Sequence, residues 1–536
     1  MPSVELYDTT LRDGSQAEGI SFSVDDKLKI ARRLDEFGFD FIEGGYPASN
    51  PKDMEFFRRV KELGLRRARI AAFGMTRRKD VRAHEDGTLK AMVESGAQVA
   101  TVVGKSWTLH VTDALRTTLD ENLRMIEESV AFLRSQGLYV IYDAEHFFDG
   151  CRADAEYALR TLEAAARGGA SVLTLCDTNG GRLPREISEM TQAVVRRFPG
   201  LRVGIHTHND SGLGVANTLA AVEAGASLVQ GTINGYGERC GNADLVQVIP
   251  ILQLKMGYSL VSGETLRRLS DLSRFIDDCA NVRPDDRRPF VGRSAFAHKG
   301  GMHVSALLRR PDTYEHIDPE LVGNRRRVLV SELAGASNLI FKAHEYGIPL
   351  ERDTPVVGEL VEKLKAMERD GYVFEGAEAS FELLLRKAVG AHRPYFSPAG
   401  FELLSSKTTR SHDSPRVEAA VELEVDGETL RATGVGNGPV NALDNAVRNA
   451  LGGVYPEIGR IQLSDYKVRA LSEGEGTGAR VRVLIQCTAL GRSWTTVGVS
   501  TDIVKASWEA LTDAIEYGLM VCGTTRAEAA GVSRAR

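Results

Sequence analysis

Over its first 260 residues the chain repeats one unit eight times, a short run rich in β-branched residues and then a longer stretch with apolar side chains at helical spacing. The strands expected are Val4–Asp8, Phe39–Gly44, Arg69–Phe73, Gln98–Val103, Tyr139–Glu145, Ser171–Asp177, Arg202–His206 and Leu228–Thr232. Between them Asp25–Glu36, Thr118–Ser135, Asp154–Arg167, Pro184–Phe198 and Gly212–Ala224 read as amphipathic helices. Eight βα units in this length match the count and size of an α/β TIM (β/α)8 barrel. A doubly wound open sheet is the alternative. It usually needs fewer strands and a phosphate-binding Gly-rich first turn, which Asp8-Thr9-Thr10-Leu11-Arg12-Asp13-Gly14 is not.

Beyond the barrel, expected to span residues 1–260, the rhythm stops. Residues 261–389 read as mostly helical around arginine-rich loops (Arg283–Arg293 and Arg309–Arg327), a linker and helper subdomain. From 390 to 523 a strand and then a helix recur twice, Arg416–Val425 with Val440–Leu451 and Ala479–Cys487 with Ile503–Tyr517, as in a small α+β domain of two related halves. Glycine-rich turns, Gly434–Pro439 and Gly474–Gly478, accompany them. Residues 524–536 are small and charged and read as a flexible tail.

With 536 residues, 43% hydrophobic and 26% charged, the chain suits two or three folded domains and is too apolar to be disordered. A net charge of -6 and the lack of any Lys/Arg block with interleaved aromatics argue against nucleic acid as a partner. Six dispersed cysteines without a CxxC pair read as reduced thiols. The first strand leaves no room for a signal peptide, and no apolar run approaches ~18 residues. A cytoplasmic protein with no membrane contact is expected.

In a TIM barrel the reactive groups sit where strands end, on the C-terminal face. Here those ends carry Arg12 and Asp13 after strand 1, Asp143-Ala144-Glu145-His146 at strand 5, Asp177-Thr178-Asn179 at strand 6, His206-Thr207-His208-Asn209-Asp210 at strand 7 and Asn234–Asn242 after strand 8. His206 and His208 are two apart on an extended segment, so both imidazoles face one side, as two ligands of one metal require. Barrel closure makes strand 8 a neighbour of strands 7 and 1, which lets Asp13 and Asn242 converge on the same ion. A carboxylate, two imidazoles and an amide suit Mg, Mn or Zn and leave positions open for substrate. Each residue also has a plainer reading: Arg12 could pair with Asp13 or Asp8, Glu145 could be a solvated acid, and Thr178 a helix N-cap.

Taken together and in this order, Asp8–Gln16, His206–Asp210 and Gly235–Leu245 resemble the Claisen-condensing branch of the metal-dependent, lyase-like TIM barrels, the family of the 2-isopropylmalate, homocitrate and citramalate synthases. The resemblance covers nearly the whole chain. Lyases of the wider superfamily share the first two motifs but not the Gly-Glu-Arg-Cys-Gly-Asn-Ala form of the third, which favours condensation over cleavage. The resemblance implies that Asp13, His206 and His208 hold the metal with Asn242 completing or supporting the site, that Arg12 polarises the keto oxygen of a 2-oxo acid, and that Thr178 binds its carboxylate. Phe296–His303 is similar to the segment the family places over the barrel mouth; His303 falls on the catalytic histidine, Tyr314 on the family tyrosine, and Glu145 on the acid paired with that histidine.

One departure is visible, since Asp143–Gly150 replaces the more common Ser-x-Glu-Asp. That form, with Gly476–Val483, Thr496–Ser500 and Lys505–Trp508, is similar to the longer bacterial citramalate synthases. It implies pyruvate as the acceptor for acetyl-CoA, a homodimer, and a C-terminal regulatory domain that answers to isoleucine. The other acceptors weighed are 2-oxoisovalerate and 2-oxoglutarate. The second acid group of 2-oxoglutarate would want a cation deep in the barrel, and the predicted inner strands supply no obvious extra Arg or Lys. A superfamily lyase or aldolase would need no His303 segment, and a non-catalytic amino-acid sensor would not need the metal constellation.

Overall fold

The computed structural model describes residues 4–329, 335–351, 354–406, 416–471 and 476–524. They form two compact units, Met1–Phe296 with Ile317–Arg326, and Ala297–His316 with Arg327–Arg536. The expected tail after Thr524 and the first two residues of the Gly474–Gly478 turn lie outside the described residues.

In the first unit eight parallel strands close on themselves: β1 (Glu5–Asp8), β2 (Phe41–Gly45), β3 (Arg69–Met75), β4 (Val99–Lys105), β5 (Tyr139–Glu145), β6 (Val172–Asp177), β7 (Arg202–Thr207) and β8 (Leu228–Gly231). β8 pairs back onto β1, from Glu5 with Leu228 to Asp8 with Gly231, so no edge is left and the open-sheet alternative falls. The helices between them are α1 (Val24–Phe37), α2 (Pro51–Val60), α3 (Gly87–Glu94), α4 (Leu119–Ser135), α5 (Phe147–Gly168), α6 (Pro184–Arg197), α7 (Gly214–Glu223) and α8 (Leu245–Pro250). Their ends follow local chemistry. α1 starts in a capping box, where Ser23 accepts from the Asp26 N–H and Asp26 from the Ser23 N–H, each at 3.1 Å, and it stops at Gly38, whose φ of 102° few other residues adopt.

Alternate residues of each strand point out to the helices or into the barrel. The outward set, such as Val102, Val140, Leu173, Ile205 and Val229, packs into the main hydrophobic core. The inward set changes with height. Low in the barrel it is apolar: Tyr7, Phe41, Ala71, Val99, Ile141, Val172 and Leu228, all buried. Two residues further along, it becomes polar with Glu43, Thr101, Asp143, Thr174, His206 and Gln230, all buried as well. A buried polar group without a partner costs about 1–3 kcal/mol, and this layer is tied together: the Tyr7 hydroxyl donates to Glu43 at 2.7 Å, and the Gln230 amide to Asp143 at 3.0 Å. The barrel mouth thus has a hydrogen-bonded floor.

The second unit holds helices Ala336–Glu345, Pro355–Arg369 and Glu378–Ala388, packed in one apolar cluster around Leu360 and Phe381. Two three-stranded antiparallel sheets follow, Ser397–Ser406, Arg416–Val425 and Glu428–Gly436, and Gln462–Ala470, Val481–Ala489 and Arg492–Ser500. Helices Pro439–Leu451 and Ile503–Val521 come after them, so each half has three strands where the sequence reading placed one. The halves share details. Each hairpin turns on two residues of positive φ, Asp426-Gly427 and Leu490-Gly491. In each, the helix lies directly on a strand glycine: a Cβ on Gly434 would meet Ala446 N at 2.3 Å, and one on Gly498 would meet Ala506 O at 2.0 Å. All six cysteines are unpaired. Among the described residues no helix is long and apolar enough to cross a membrane.

Candidate active site and metal centre

Above the polar floor, the C-terminal ends of the strands enclose a cavity of about 430 Å³. Arg12, Asp13, Glu145, Thr178, His206 and His208 all reach its wall. Asn242 is buried beside them, its amide nitrogen 3.2 Å from His206 Nε2. Gly237 lets the backbone come this close, since a Cβ there would lie 1.9 Å from Asn242 Oδ1.

The ligand-bearing atoms of Asp13, His206 and His208 lie within 4.8 Å of one another. Their surroundings fit a cation. Asp13 Oδ1 and Asn242 Oδ1 are buried acceptors without a partner, and the two imidazole Nε2 atoms face each other at 3.3 Å. Gln230 decides which nitrogen of His206 is available. Its amide nitrogen is committed to Asp143, so its oxygen faces His206 Nδ1 at 2.9 Å, takes a proton there and leaves the Nε2 lone pair toward the centre. Burial pushes His208 down to about 3, which keeps that ring neutral. Burial works against ionised Asp13, but the adjacent Arg12 guanidinium opposes it, and the carboxyl lies well below its usual range.

Arg12 is fixed from three sides. Its Nε donates to Glu43 at 2.6 Å, its Nη1 to Asp13 at 3.0 Å, and its guanidinium lies 3.9 Å from the centre of the Phe73 ring. Asp8, the other partner considered, is turned toward Thr10 instead. The Thr178 hydroxyl accepts the His146 N–H at 2.9 Å, which leaves its own proton free to donate. The Arg239 guanidinium holds the loops after β6, β7 and β8 together through the Thr178 carbonyl at 2.6 Å and both Asp210 oxygens.

Glu145 contacts the Lys105 ammonium, and Lys105 also lines the cavity. This corrects the reading that the inner strands supply no extra cation: β4 runs on past Val103 to Lys105 and so carries it to the mouth. His303 and Tyr314 belong to the second unit, where their rings stack with centroids 4.2 Å apart; nearby, His298 meets Glu315 at 3.2 Å.

Comparison with known proteins agrees with this architecture. Residues 3–276 match the HMGL-like family model, just over half of the chain, and residues 290–371 match the homocitrate synthase post-HMGL domain-like model. Residues 375–519 match the LeuA allosteric (dimerisation) domain. The chain is 53% identical to the (R)-citramalate synthase of Synechocystis sp., with 98% of each chain covered. It belongs to the 2-isopropylmalate and citramalate synthase family. Within this family it is also 51% identical to the (R)-citramalate synthase of Aquifex aeolicus, over 96% of this chain and 98% of that one. With the 2-isopropylmalate synthase of Methanocaldococcus jannaschii the identity is 31%, over 96% and 94%.

Three residues of this family member's site escaped the sequence reading: Glu43, Lys105 and Gln230. Glu43 stands inside Phe41-Ile42-Glu43-Gly44-Gly45, where one acid amid apolar neighbours is the only signal it gives. Gln230 acts through His206 and carries no spacing of its own.

Proposed function

We propose that this chain is an (R)-citramalate synthase, which joins the methyl carbon of acetyl-CoA to the keto carbon of pyruvate and hydrolyses the thioester to citramalate and CoA. What carries the reading is 53% identity over 98% of the chain to a protein of that name, against 31% for a 2-isopropylmalate synthase. The barrel cavity supports it by gathering the groups such a reaction needs.

A divalent cation at Asp13, His206 and His208, with Asn242 in support, would supply Lewis acidity at the keto oxygen; Mg, Mn and Zn all suit this donor set. Arg12 faces the same oxygen and stabilises the negative charge that develops there. Its guanidinium spends no reorganisation on the task, being already held by Glu43, Asp13 and Phe73. The free proton of Thr178 takes the pyruvate carboxylate. His303 takes the methyl proton, which is far less acidic than any side chain, Glu145 is the acid that orients it, and Tyr314 holds His303 through their stacked rings or assists the later hydrolysis. As the new carbon–carbon bond forms, the keto oxygen gains a proton and becomes the tertiary hydroxyl. Water then attacks the thioester carbonyl, and CoA leaves as the thiol.

The match of residues 375–519 to an allosteric (dimerisation) domain supports a homodimer that responds to an end-product amino acid. For citramalate that product is isoleucine. The enzyme acts in the cytoplasm, where pyruvate and acetyl-CoA are both available. The test is incubation with acetyl-CoA, Mg or Mn, and pyruvate, 2-oxoisovalerate or 2-oxoglutarate in parallel, reading free thiol. Pyruvate is expected to give the highest kcat/KM, and a preference for 2-oxoisovalerate would reassign the enzyme.

A further inference from the structure

We propose that Lys105 is a positioning residue for this reaction, acting through Glu145, so the inference rests on the reading of Glu145 given above. The two are register partners at the ends of β4 and β5, so their side chains leave neighbouring strands on the same face. The ammonium touches Glu145 Oε2, with side-chain exposures of 16% and 24%, on the cavity wall. Neither backbone is free to drift. The Lys105 carbonyl accepts from the buried Asn122 amide at 2.9 Å, and the same amide is anchored on the Tyr157 hydroxyl at 2.8 Å. The Ser106 N–H, next along the chain, donates to the Glu145 carbonyl at 3.1 Å.

The charges around the pair explain why Glu145 needs this partner. Asp13 and Asp143 line the same cavity, and two further carboxylates would repel an unpaired Glu145. The other cations on the wall are committed, Arg12 to Glu43 and Asp13, and Arg239 to Asp210 and Glu238. Lys105 is the cation that meets Glu145. The contact fixes the carboxylate in one rotamer, ready to orient the group that carries the methyl proton.

The experiment is steady-state kinetics with pyruvate and acetyl-CoA on five variants. Lys105→Met should lower kcat about tenfold to hundredfold and leave the KM for pyruvate within about twofold, because Lys105 takes no part in binding pyruvate. Lys105→Arg, which keeps the charge, should recover kcat to within about threefold. In Lys105→Ala, added n-propylammonium should restore turnover in proportion to its concentration, as a mere structural brace would not allow. Lys105→Met combined with Glu145→Gln should be no worse than Glu145→Gln alone, because both remove the same contact. Wild-type kcat in Lys105→Met, or equal losses in the Met and Arg variants with no response to the amine, would overturn the proposal. If Glu145→Gln itself keeps wild-type turnover, the reading of Glu145 fails and takes this one with it. An inactive Glu145→Gln beside a fully active Lys105→Met removes Lys105 alone.

Discussion

Exchanging Glu43 for Gln alters one charge and almost no volume at a fully buried side chain, and it asks how much of Arg12's placement depends on that charge. Glu43 accepts from the Tyr7 hydroxyl, the Thr9 hydroxyl and Arg12 Nε. A Gln can keep most of this pattern. Its carbonyl can serve Thr9 and Arg12 while its amide nitrogen faces Tyr7, whose hydroxyl then donates to Thr101 at 2.7 Å. What is lost is the negative charge opposite the guanidinium. A hydrogen bond to a charged group contributes about 1.5–3 kcal/mol and a neutral one about 1, so the loss should be about 2 kcal/mol, short of the ~3–5 for removing a buried partner outright. For a unit of this size that lowers Tm by about 3 °C. Arg12 keeps Asp13 but can now swing over Phe73, and a misplaced guanidinium should reduce kcat/KM about tenfold to hundredfold. Melting followed by circular dichroism and the thiol-release assay give the two numbers. A Glu43→Gln enzyme with wild-type Tm and kcat/KM would show that Asp13 alone holds Arg12, and would refute this account of the floor.

Asp13→Asn or His206→Ala should abolish the rise in Tm that Mn gives the wild type, about 2.7 kcal/mol at a hundred times Kd, and an undiminished rise would place the ion elsewhere. Burial pushes the Asp8 carboxyl up to about 7, so between pH ~4 and ~7 the folded chain keeps a proton that the unfolded chain has released. Stability should therefore fall as pH rises through that window, and Asp8→Asn should flatten the slope in urea melts; an unchanged slope would exclude Asp8 as its source. Replacing His303 with Ala should lower kcat strongly and leave pyruvate binding almost unchanged, whereas near wild-type turnover would remove it from the mechanism. Thermal shifts with isoleucine, leucine and valine should single out isoleucine, and stabilisation by leucine alone would contradict that assignment.

The barrel was legible because its signal repeats: a strand buried on both faces is mostly apolar, as in Val172–Cys176 with Thr174 its one polar member, and a helix covering it must alternate at its own period. Where strands end is a weaker signal. Reading β4 as finished at Val103 hid Lys105, since a polar residue beyond an apolar run resembles a loop. The metal cluster could be anticipated because His206 and His208 carry their geometry in their spacing, but Gln230 is an amide on another strand, and only the closed barrel brings it to His206 Nδ1. In the C-terminal domain Gln462–Ala470 went unread for a different reason: nearly all its side chains are exposed, so it lacks the alternation by which a half-buried strand is recognised.

The switch of the barrel interior from apolar to polar within two residues of most strands has an evolutionary consequence. Below it, seven side chains hold the ring closed, and truncating one of the large aliphatics there, such as Ile141, would cost about 2–5 kcal/mol, felt as loss of the protein from the cell. Above it, substitutions act on acceptor choice and rate. Inherited changes in this chain therefore divide by their height along one axis, and a lineage can move to a new 2-oxo acid by rewriting the top of the strands while the lower ring stays as it is.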